Sequence, residues 1–260
     1  LSLGDVIPQL ETFAANEGVL TFSALMSLGL MTETDDLGNV RPNQQARKAI
    51  QRLSTQTSSR KEAEALAYAI GLLKVPAFGV LRSIYESASH ERERLASVWA
   101  SAQLKDRRLA RFFEMALSDS ELSVQCAAIN ALEHLALPES APVLMSRFES
   151  LVECTGEGEK RTCEPRVPFT CPEIAIPVQE GGAIRLVVKR RDLFLAIVRA
   201  LSATEHPELL TWLVQYQLKS ETNYLTWLLM SKVYEHMQNL DRDGTLSTIR
   251  QRLRQIELLR

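Results

Sequence analysis

The chain has 260 residues, of which 45% are hydrophobic and 24% are charged, and its formal net charge is −2. This composition is typical of a globular protein and excludes a disordered chain. The near-neutral charge gives no general attraction for nucleic acid or anionic membranes, and no apolar run reaches the roughly 18 residues of a membrane-spanning helix.

Apolar residues recur at intervals of three and four along most of the chain, which predicts a series of amphipathic helices and an all-α fold class. Prolines at positions 76, 138 and 207 fall at predicted helix starts, where the missing amide hydrogen costs little. The predicted helices are Val6–Asn16, Leu20–Leu30, Asn43–Leu53, Arg60–Leu73, Ala77–Ser87, Glu91–Gln103, Arg107–Leu117, Ser120–Ala136, Ser140–Val152, Arg191–Ser202, Pro207–Leu218, Glu221–Gln238 and Thr245–Leu259.

One helical pattern occurs twice. It contains the pair Ala131-Leu132 in its first copy and Ala200-Leu201 in its second, and each pair is followed by a Pro-Glu pair that opens the next helix. The segment Glu153–Val188, which lacks helical periodicity, lies between the copies. Without this segment, the distance between the copies is close to the length of one helical hairpin. None of these helices could bury its apolar face alone, so we predict that they stack.

The second helix of this pattern resembles the corresponding helix of HEAT-repeat proteins. The resemblance is carried by Val124, Ala128, Ala131, Leu132 and Leu135. Family members often have Asp before this helix and Arg one residue after the Val, and here those positions offer Asp119 and Gln125. The resemblance implies a right-handed α-solenoid of helical hairpins with one concave and one convex face.

The sequence is therefore predicted to comprise four segments. These are an N-terminal helical region (1–75) that is weakly repeat-like, HEAT-like repeats (76–152), a Cys- and Pro-rich insertion (153–188), and C-terminal HEAT-like helices (189–260). Within the insertion, the β-rich runs Ile174–Val178 and Ala183–Val188 flank Gly181-Gly182, which predicts a β-hairpin. This hairpin is either a recognition element or a surface elaboration that covers a helix pair.

The insertion holds three of the four cysteines. Cys154, Cys163 and Cys171 are too widely spaced for a zinc ribbon, and we expect a disulfide among them, with three pairings open. Cys126 lies on a predicted core face and is expected to be a buried free thiol. A disulfide favours a periplasmic or extracellular location, with the cytoplasm as the alternative. Because the chain begins at Leu1 and not Met, we expect it to be processed or trimmed.

Few motifs in the chain indicate chemistry. The loop Asn239–Arg250 resembles an EF-hand calcium loop, but Arg250 stands where a bidentate Glu is expected, so a helix–helix turn is the favoured interpretation. None of the four histidines, His90, His134, His206 and His236, has a partner at metal-site spacing. Basic groups at Lys189–Arg191 and in the last helix lack the interleaved aromatic residues of a nucleic-acid site. We therefore predict no catalytic, cofactor or metal residues.

These observations lead to a prediction about function. We expect a protein–protein interaction or scaffolding module, a structural subunit of a larger assembly, that binds a protein partner through the solenoid face and the insertion. No nucleic acid, membrane span or cofactor is expected, and the oligomeric state stays open. The alternative is an enzyme on a HEAT-like scaffold, since the family resemblance also includes lyases that attach bilin pigments and DNA glycosylases.

Overall fold

A computed structural model describes residues 3–16, 21–35, 37–56, 62–155, 162–165, 170–171, 175–180, 183–188, 191–204, 206, 209 and 212. The described part of the chain is mostly helical, with small antiparallel strand pairs. Its helices are α1 (Leu3–Ala15), α2 (Thr21–Gly29), α3 (Gln44–Gln56), α4 (Ala63–Leu72), α5 (Phe78–Ser87), α6 (Glu91–Gln103), α7 (Ala110–Ala116), α8 (Leu122–Leu135), α9 (Ala141–Leu151) and α10 (Leu193–Ala203).

The first ten predicted helices are confirmed, with ends that shift by a few residues. The helix predicted at Arg107–Leu117 begins as a 3₁₀ turn, Arg107–Leu109, before it continues as α7. The predicted helices Pro207–Leu218, Glu221–Gln238 and Thr245–Leu259 lie outside the described residues, except for single positions.

Local side-chain chemistry accounts for several helix starts. The Asn43 side chain accepts hydrogen bonds from the amides of Gln45 and Ala46, both at 3.0 Å, and so caps α3. The Glu93 carboxylate accepts the amides of Ser89 at 3.0 Å and His90 at 3.4 Å, which satisfies donors at the start of α6. In both cases polar groups that the helix leaves unpaired find a partner within a few residues.

Three helices end in the same unusual backbone geometry. Lys74, Lys105 and Ala136 have φ of 51°, 50° and 51°, in the left-handed region that normally favours glycine, and they follow α4, α6 and α8. The step in sequence from Lys74 to Lys105 equals the step from Lys105 to Ala136, and we call this step the repeat interval. The same helix end thus recurs at a constant spacing along the chain.

The strands form four antiparallel pairs within the described residues. Their bounds are β1 (Thr32–Thr34) with β2 (Val40–Pro42), β3 (Val152–Thr155) with β4 (Thr162–Pro165), β5 (Thr170–Cys171) with β8 (Arg191–Asp192), and β6 (Ala175–Glu180) with β7 (Ala183–Val188). The hairpin predicted in the insertion is confirmed as β6–β7, in which Ala175 lies opposite Val188 and Glu180 opposite Ala183. The strands that interrupt the helices begin before the predicted insertion and end after it.

The chain divides into two compact units. The first comprises Leu1–Ala131 with Glu173–Lys189, and the second comprises Leu132–Pro172 with Arg190–Arg260, so the boundary falls within α8. The four segments predicted from sequence stay a prediction. No helix among the described residues is long and apolar enough to cross a membrane.

In the first unit, α4 packs against both α2 and α6 and forms the centre of the core. Its sequence, AEALAYAIGL, is dominated by small residues, and every position from Ala65 to Gly71 is buried. Larger side chains from neighbouring helices fill the space around it, including Leu25, Leu28, Ile50 and Leu53, each at most 1% exposed. Small residues on a central helix let its neighbours approach closely.

The second unit has its own apolar core, in which α9 packs against α10. Leu144 and Phe148 of α9, and Ile197 and Leu201 of α10, are each 0% exposed. The Trp212 ring packs edge-on against Phe148, with centroids 4.9 Å apart. Its indole nitrogen also donates to Glu149 at 3.0 Å. These contacts are typical of an aromatic side chain that packs against a core through its ring and uses its indole nitrogen as a hydrogen-bond donor.

Candidate interaction surface

Equivalent positions on α4 and α6 meet at an aromatic pair. Tyr68 of α4 and Trp99 of α6 are separated by one repeat interval, and their rings pack edge to face with centroids 5.4 Å apart. Tyr68 is 7% exposed, whereas Trp99 is only partly buried. Burial raises the pKa of Tyr68 to about 12, so its hydroxyl is neutral at physiological pH. The pair therefore offers an aromatic surface with one partly open ring.

Charged side chains lie beside this pair. Burial raises the pKa of Glu64, and the charge of nearby Glu93 raises it further, while Arg92 opposes the shift. Lys74 and Lys105 are exposed at the ends of α4 and α6. A cation at a helix C-terminus complements the partial negative charge of the last carbonyl groups. Exposed lysines thus recur at the ends of α4 and α6, one repeat interval apart.

A polar network connects α5, α6 and the loop before α8. The Asp119 carboxylate accepts hydrogen bonds from the Tyr85 hydroxyl at 2.7 Å and from Arg94 Nε at 2.9 Å. The Glu121 amide also donates to it, at 2.9 Å. The Asp119 side chain is 4% exposed and that of Arg94 is 18% exposed, so this is a largely buried ion pair. The network therefore fixes a charged side chain of the loop before α8, a contact that the apolar pattern of the sequence does not predict.

Electrostatics keep Asp119 ionised. Burial would raise the pKa of its carboxyl, but hydrogen bonds from Glu121, Tyr85 and Arg94, and the Arg94 charge, bring it below its usual range. Burial and the bond to Asp119 raise the pKa of Tyr85, which therefore stays protonated. The arrangement has the character of a structural brace, because each polar group is used by another.

The brace involves the two positions that the family resemblance singled out, together with one that sequence reasoning missed. Gln125 donates through its side-chain nitrogen to the Asp119 carbonyl oxygen. The guanidinium that pairs with Asp119 comes from Arg94, which precedes Gln125 by one repeat interval. The signal that could have revealed Arg94 is this spacing, which places it in α6 at the position equivalent to Gln125 in α8.

The prediction that Cys126 is a free thiol is wrong. Cys126 is disulfide-bonded, as are Cys154 and Cys171, and Cys126 lies at disulfide distance from Cys171. Its apolar neighbours indicate only burial, and burial is correct, since Cys126 is 6% exposed and Cys171 is 3% exposed. Of the three cysteines among which the sequence predicts a disulfide, Cys154 and Cys171 are disulfide-bonded, but the cysteine at disulfide distance from Cys171 is not one of the three. Cys154 lies directly opposite Cys163 in the register of β3 and β4.

Each described histidine lies at a different helix end. His90 is the residue before α6, His134 lies in the last turn of α8, and His206 follows α10. Among the residues that the structure describes, no group of three His, Cys, Asp or Glu side chains could hold a metal ion. Three glutamates lie close together in sequence at the junction of α5 and α6, and each has its own partner. Glu86 pairs with Arg82, Glu91 accepts a hydrogen bond from the Ser123 hydroxyl, and Glu93 caps α6.

Several predicted features lie outside the described residues. They are the EF-hand-like loop Asn239–Arg250, His236 and the basic pair Lys189-Arg190. The interpretation of these positions stays a prediction.

Comparison with models of known protein families gives no match, and no curated protein matches the chain at a significant level. The resemblance to HEAT repeats therefore stays a prediction from the sequence pattern.

Proposed function

We propose that the protein is a protein–protein interaction or scaffolding module, built as an α-solenoid of HEAT-like hairpins and acting as a structural subunit of a larger assembly. The observation that carries the proposal is the recurrence of the same helix end at Lys74, Lys105 and Ala136, with Tyr68 and Trp99 in contact at equivalent positions. Repeated helical units of this kind create extended surfaces that suit protein partners. Partly open aromatic rings are favoured anchors at such surfaces.

The insertion supports a second part of the binding surface in this proposal. Its strands β3–β4 and β6–β7 interrupt the helical pattern, and cysteines within it are disulfide-bonded. Covalent links restrict a loop-rich segment and lower the entropy lost on binding. A disulfide also favours an oxidising compartment, so we place the protein in the periplasm or outside the cell, with the cytoplasm as the alternative. The enzyme alternative stays a prediction.

The exposed lysines allow a direct test. Cross-linking of the full chain in its native source with an amine-reactive reagent should give a recurrent protein partner attached at Lys74 and Lys105. A double variant, Lys74→Arg and Lys105→Arg, keeps the charges but removes the reactive amines, so these cross-links should disappear while those at exposed Lys48 persist. A chain that sediments as a free monomer in its source, with no recurrent cross-link from the two helix ends, would contradict the proposal.

A further inference from the structure

The hairpin between α2 and α3 carries the most exposed large apolar side chains in the described part of the chain. Leu37, near its tip, is 86% exposed, and Val40, at the start of β2, is 69% exposed. Other exposed apolar residues, such as Phe13 at 47%, retain about half of their surface in contact with the fold. Single exposed apolar residues are ordinary on protein surfaces. These two differ because the backbone that carries them is held by several hydrogen bonds.

The turn that holds Leu37 is fixed by one side chain. Asp35 Oδ1 accepts the amides of Leu37 at 3.0 Å and Asn39 at 2.8 Å, and Oδ2 accepts from the Asn39 side-chain amide at 3.3 Å. The Gly38 amide donates to the Asp35 carbonyl at 2.9 Å, and the Asp35 amide donates to the Asn39 carbonyl at 3.0 Å. Gly38 has φ of +82°, a conformation that glycine adopts without strain. The tip is therefore pre-organised.

The base of the hairpin is fastened to its two helices. Glu33 on β1 pairs with Arg41 on β2 at 3.0 Å, and its second oxygen accepts the Gln44 amide at 3.4 Å at the start of α3. The Asn43 amide donates to the Met31 carbonyl at 3.0 Å, just after α2. Leu37 thus projects from a short strand pair that is tied at both ends.

The Leu37 side chain contributes little to the fold because so much of it remains in water. Ordering a loop costs conformational entropy, and a rigid tip has already lost that entropy before binding. A single leucine in this position can enter an apolar pocket and gain the free energy of burying its side chain at a low entropic cost. Two exposed side chains are too small to form a stable dimer interface by themselves, which requires roughly 1,200 Å² of buried surface. This argues for insertion into a pocket and against association of two flat faces.

The charge at the tip indicates the character of that pocket. Asp35 stands beside Leu37, and the sequence places a second acid, Asp36, between them. The one basic residue of the hairpin, Arg41, is already paired with Glu33. Charges of one sign around an apolar contact favour the opposite sign on the partner.

We propose that the Leu37 hairpin, residues 31–43, is a docking element that inserts Leu37 into an apolar pocket on a protein partner, and that basic side chains surround this pocket. The inference depends on the proposed interaction function, but it concerns a surface separate from the Tyr68–Trp99 face and the insertion. Because the acidic tip faces basic groups, the complex should weaken as salt concentration rises.

The test uses the full chain with its disulfides intact, in its native source. A photoreactive amino acid replaces Leu37 in one variant and Gly79 in a control, because Gly79 is exposed on α5 and nothing lies within 4 Å of a Cβ added there. Irradiation should give a protein adduct from position 37 and not from position 79. Capture alone does not count as support. The captured protein is purified, the cross-linked peptide is identified, and the affinity of the unlabelled chain for it is measured.

The expected result is a cross-link beside Lys or Arg residues of the partner and a loss of affinity of roughly tenfold or more for Leu37→Ala. Gly38→Ala keeps Leu37 but strains the turn, so it should weaken binding as well, while Phe13→Ala should not. The inference is overturned if position 37 gives no protein adduct, if the adduct is a second copy of this chain or a lipid, or if Leu37→Ala changes affinity by less than about twofold. Cross-links from Lys74 and Lys105 without any from position 37 would leave the proposed function standing and remove only this inference.

Discussion

Gly71 lies where α4 and α6 approach each other closely. A Cβ atom added at Gly71 would lie 2.8 Å from the Ala100 Cα and 2.8 Å from the Trp99 Cζ3, closer than packed side chains tolerate. Gly29 is in the same position between α2 and α4, where an added Cβ would lie 2.9 Å from the Ala69 Cα. Glycine lowers helix stability in water, so its presence inside buried helices indicates a packing requirement.

Gly71→Ala should therefore destabilise the protein by about 1–3 kcal/mol, since overpacking outweighs the better helix propensity of alanine. Chemical denaturation monitored by circular dichroism measures the change. Gly79→Ala is the matched control, because the added methyl group on α5 meets nothing within 4 Å. That control should leave the free energy of unfolding unchanged or slightly higher. If both variants lose stability equally, α4 and α6 are not in close contact at Gly71.

Ionisation of Asp119 should make the stability of the protein depend on pH. Its folded pKa is lowered, so the ionised carboxylate stabilises the protein above the pKa of the unfolded chain, and this contribution is lost as pH falls through the folded pKa. Asp119→Asn should lower the free energy of unfolding at pH 7 by about 3 kcal/mol, because Arg94 loses its partner in a largely buried site.

The same variant should also flatten the dependence of stability on pH between about 5 and 2, the range in which depressed carboxyl groups titrate. Denaturation curves at several pH values provide the measurement. Glu86→Gln makes the same chemical change at an exposed ion pair with Arg82, in which the two side chains are 49% and 67% exposed, and should preserve the wild-type slope. If the free energy of unfolding falls equally steeply below pH 5 in Asp119→Asn and in the wild type, the role given to this carboxylate is contradicted.

At the scale of elements, peptide mapping can determine which cysteines are joined by disulfides. Digestion without reduction should release one pair of peptides joined through Cys126 and Cys171. The remaining cysteines should form a second pair, Cys154 with Cys163, because these positions are opposite in the β3–β4 register. Alkylation of the unfolded, unreduced chain should find no free thiol. A peptide joined through Cys126 and Cys154, or an alkylated Cys126, would show that the assignment is wrong.

The sequence predicts these elements unevenly, for physical reasons. The predicted bounds of α6, Glu91–Gln103, are correct because capping groups and apolar periodicity agree there. The strand pairs β1–β2 and β5–β8 escape prediction because such short strands cannot show an alternating pattern. The partner of Cys126 escapes it as well, because periodicity reports which face is buried and carries no information about contacts that are distant in sequence.

The candidate surfaces show the same division. The turn at Asp35–Asn39 is expected from its residue types, but the exposure of Leu37 depends on tertiary structure. Arg94 is missed because the pattern around Asp119 alone does not show which residue of α6 will reach its carboxylate. Once the repeat interval is visible, the same comparison gives Tyr68 and Trp99 as equivalent positions.

At the scale of the whole molecule, the repeat interval makes a prediction that the separate elements do not. If the helices form a stack of repeats, each repeat contacts only the repeats next to it, and one repeat can be removed without loss of the fold. An in-phase deletion of positions 69–99 removes one full interval and joins Tyr68 directly to Ala100 within one helix. The new helix keeps its buried face, because Ala100 takes the place of Ala69 at the equivalent position.

The matched control is an out-of-phase deletion of positions 69–97, which joins Tyr68 to Val98 and falls two positions short of a full interval. Each residue turns an α-helix by about 100°, so this difference rotates the second half of the new helix by about 200° and directs its apolar face into water. Because the junction joins two helical segments directly, no loop can compensate for this rotation. Thermal unfolding by circular dichroism should be cooperative for the in-phase deletion and broad, with lower helicity, for the out-of-phase deletion.

A third variant ties this experiment to the polar brace. The in-phase deletion removes Arg94 together with Tyr85 and leaves Ala63 at the position equivalent to Arg94, so Asp119 loses both its guanidinium and its hydroxyl donor. Ala63→Arg in the shortened chain should restore the ion pair and raise the midpoint of unfolding, whereas in the full chain, where Arg94 already binds Asp119, it should give no gain. Equal behaviour of the two deletions, or an equal effect of Ala63→Arg in both backgrounds, would count against a repeat stack, because only repeats make positions 63 and 94 interchangeable.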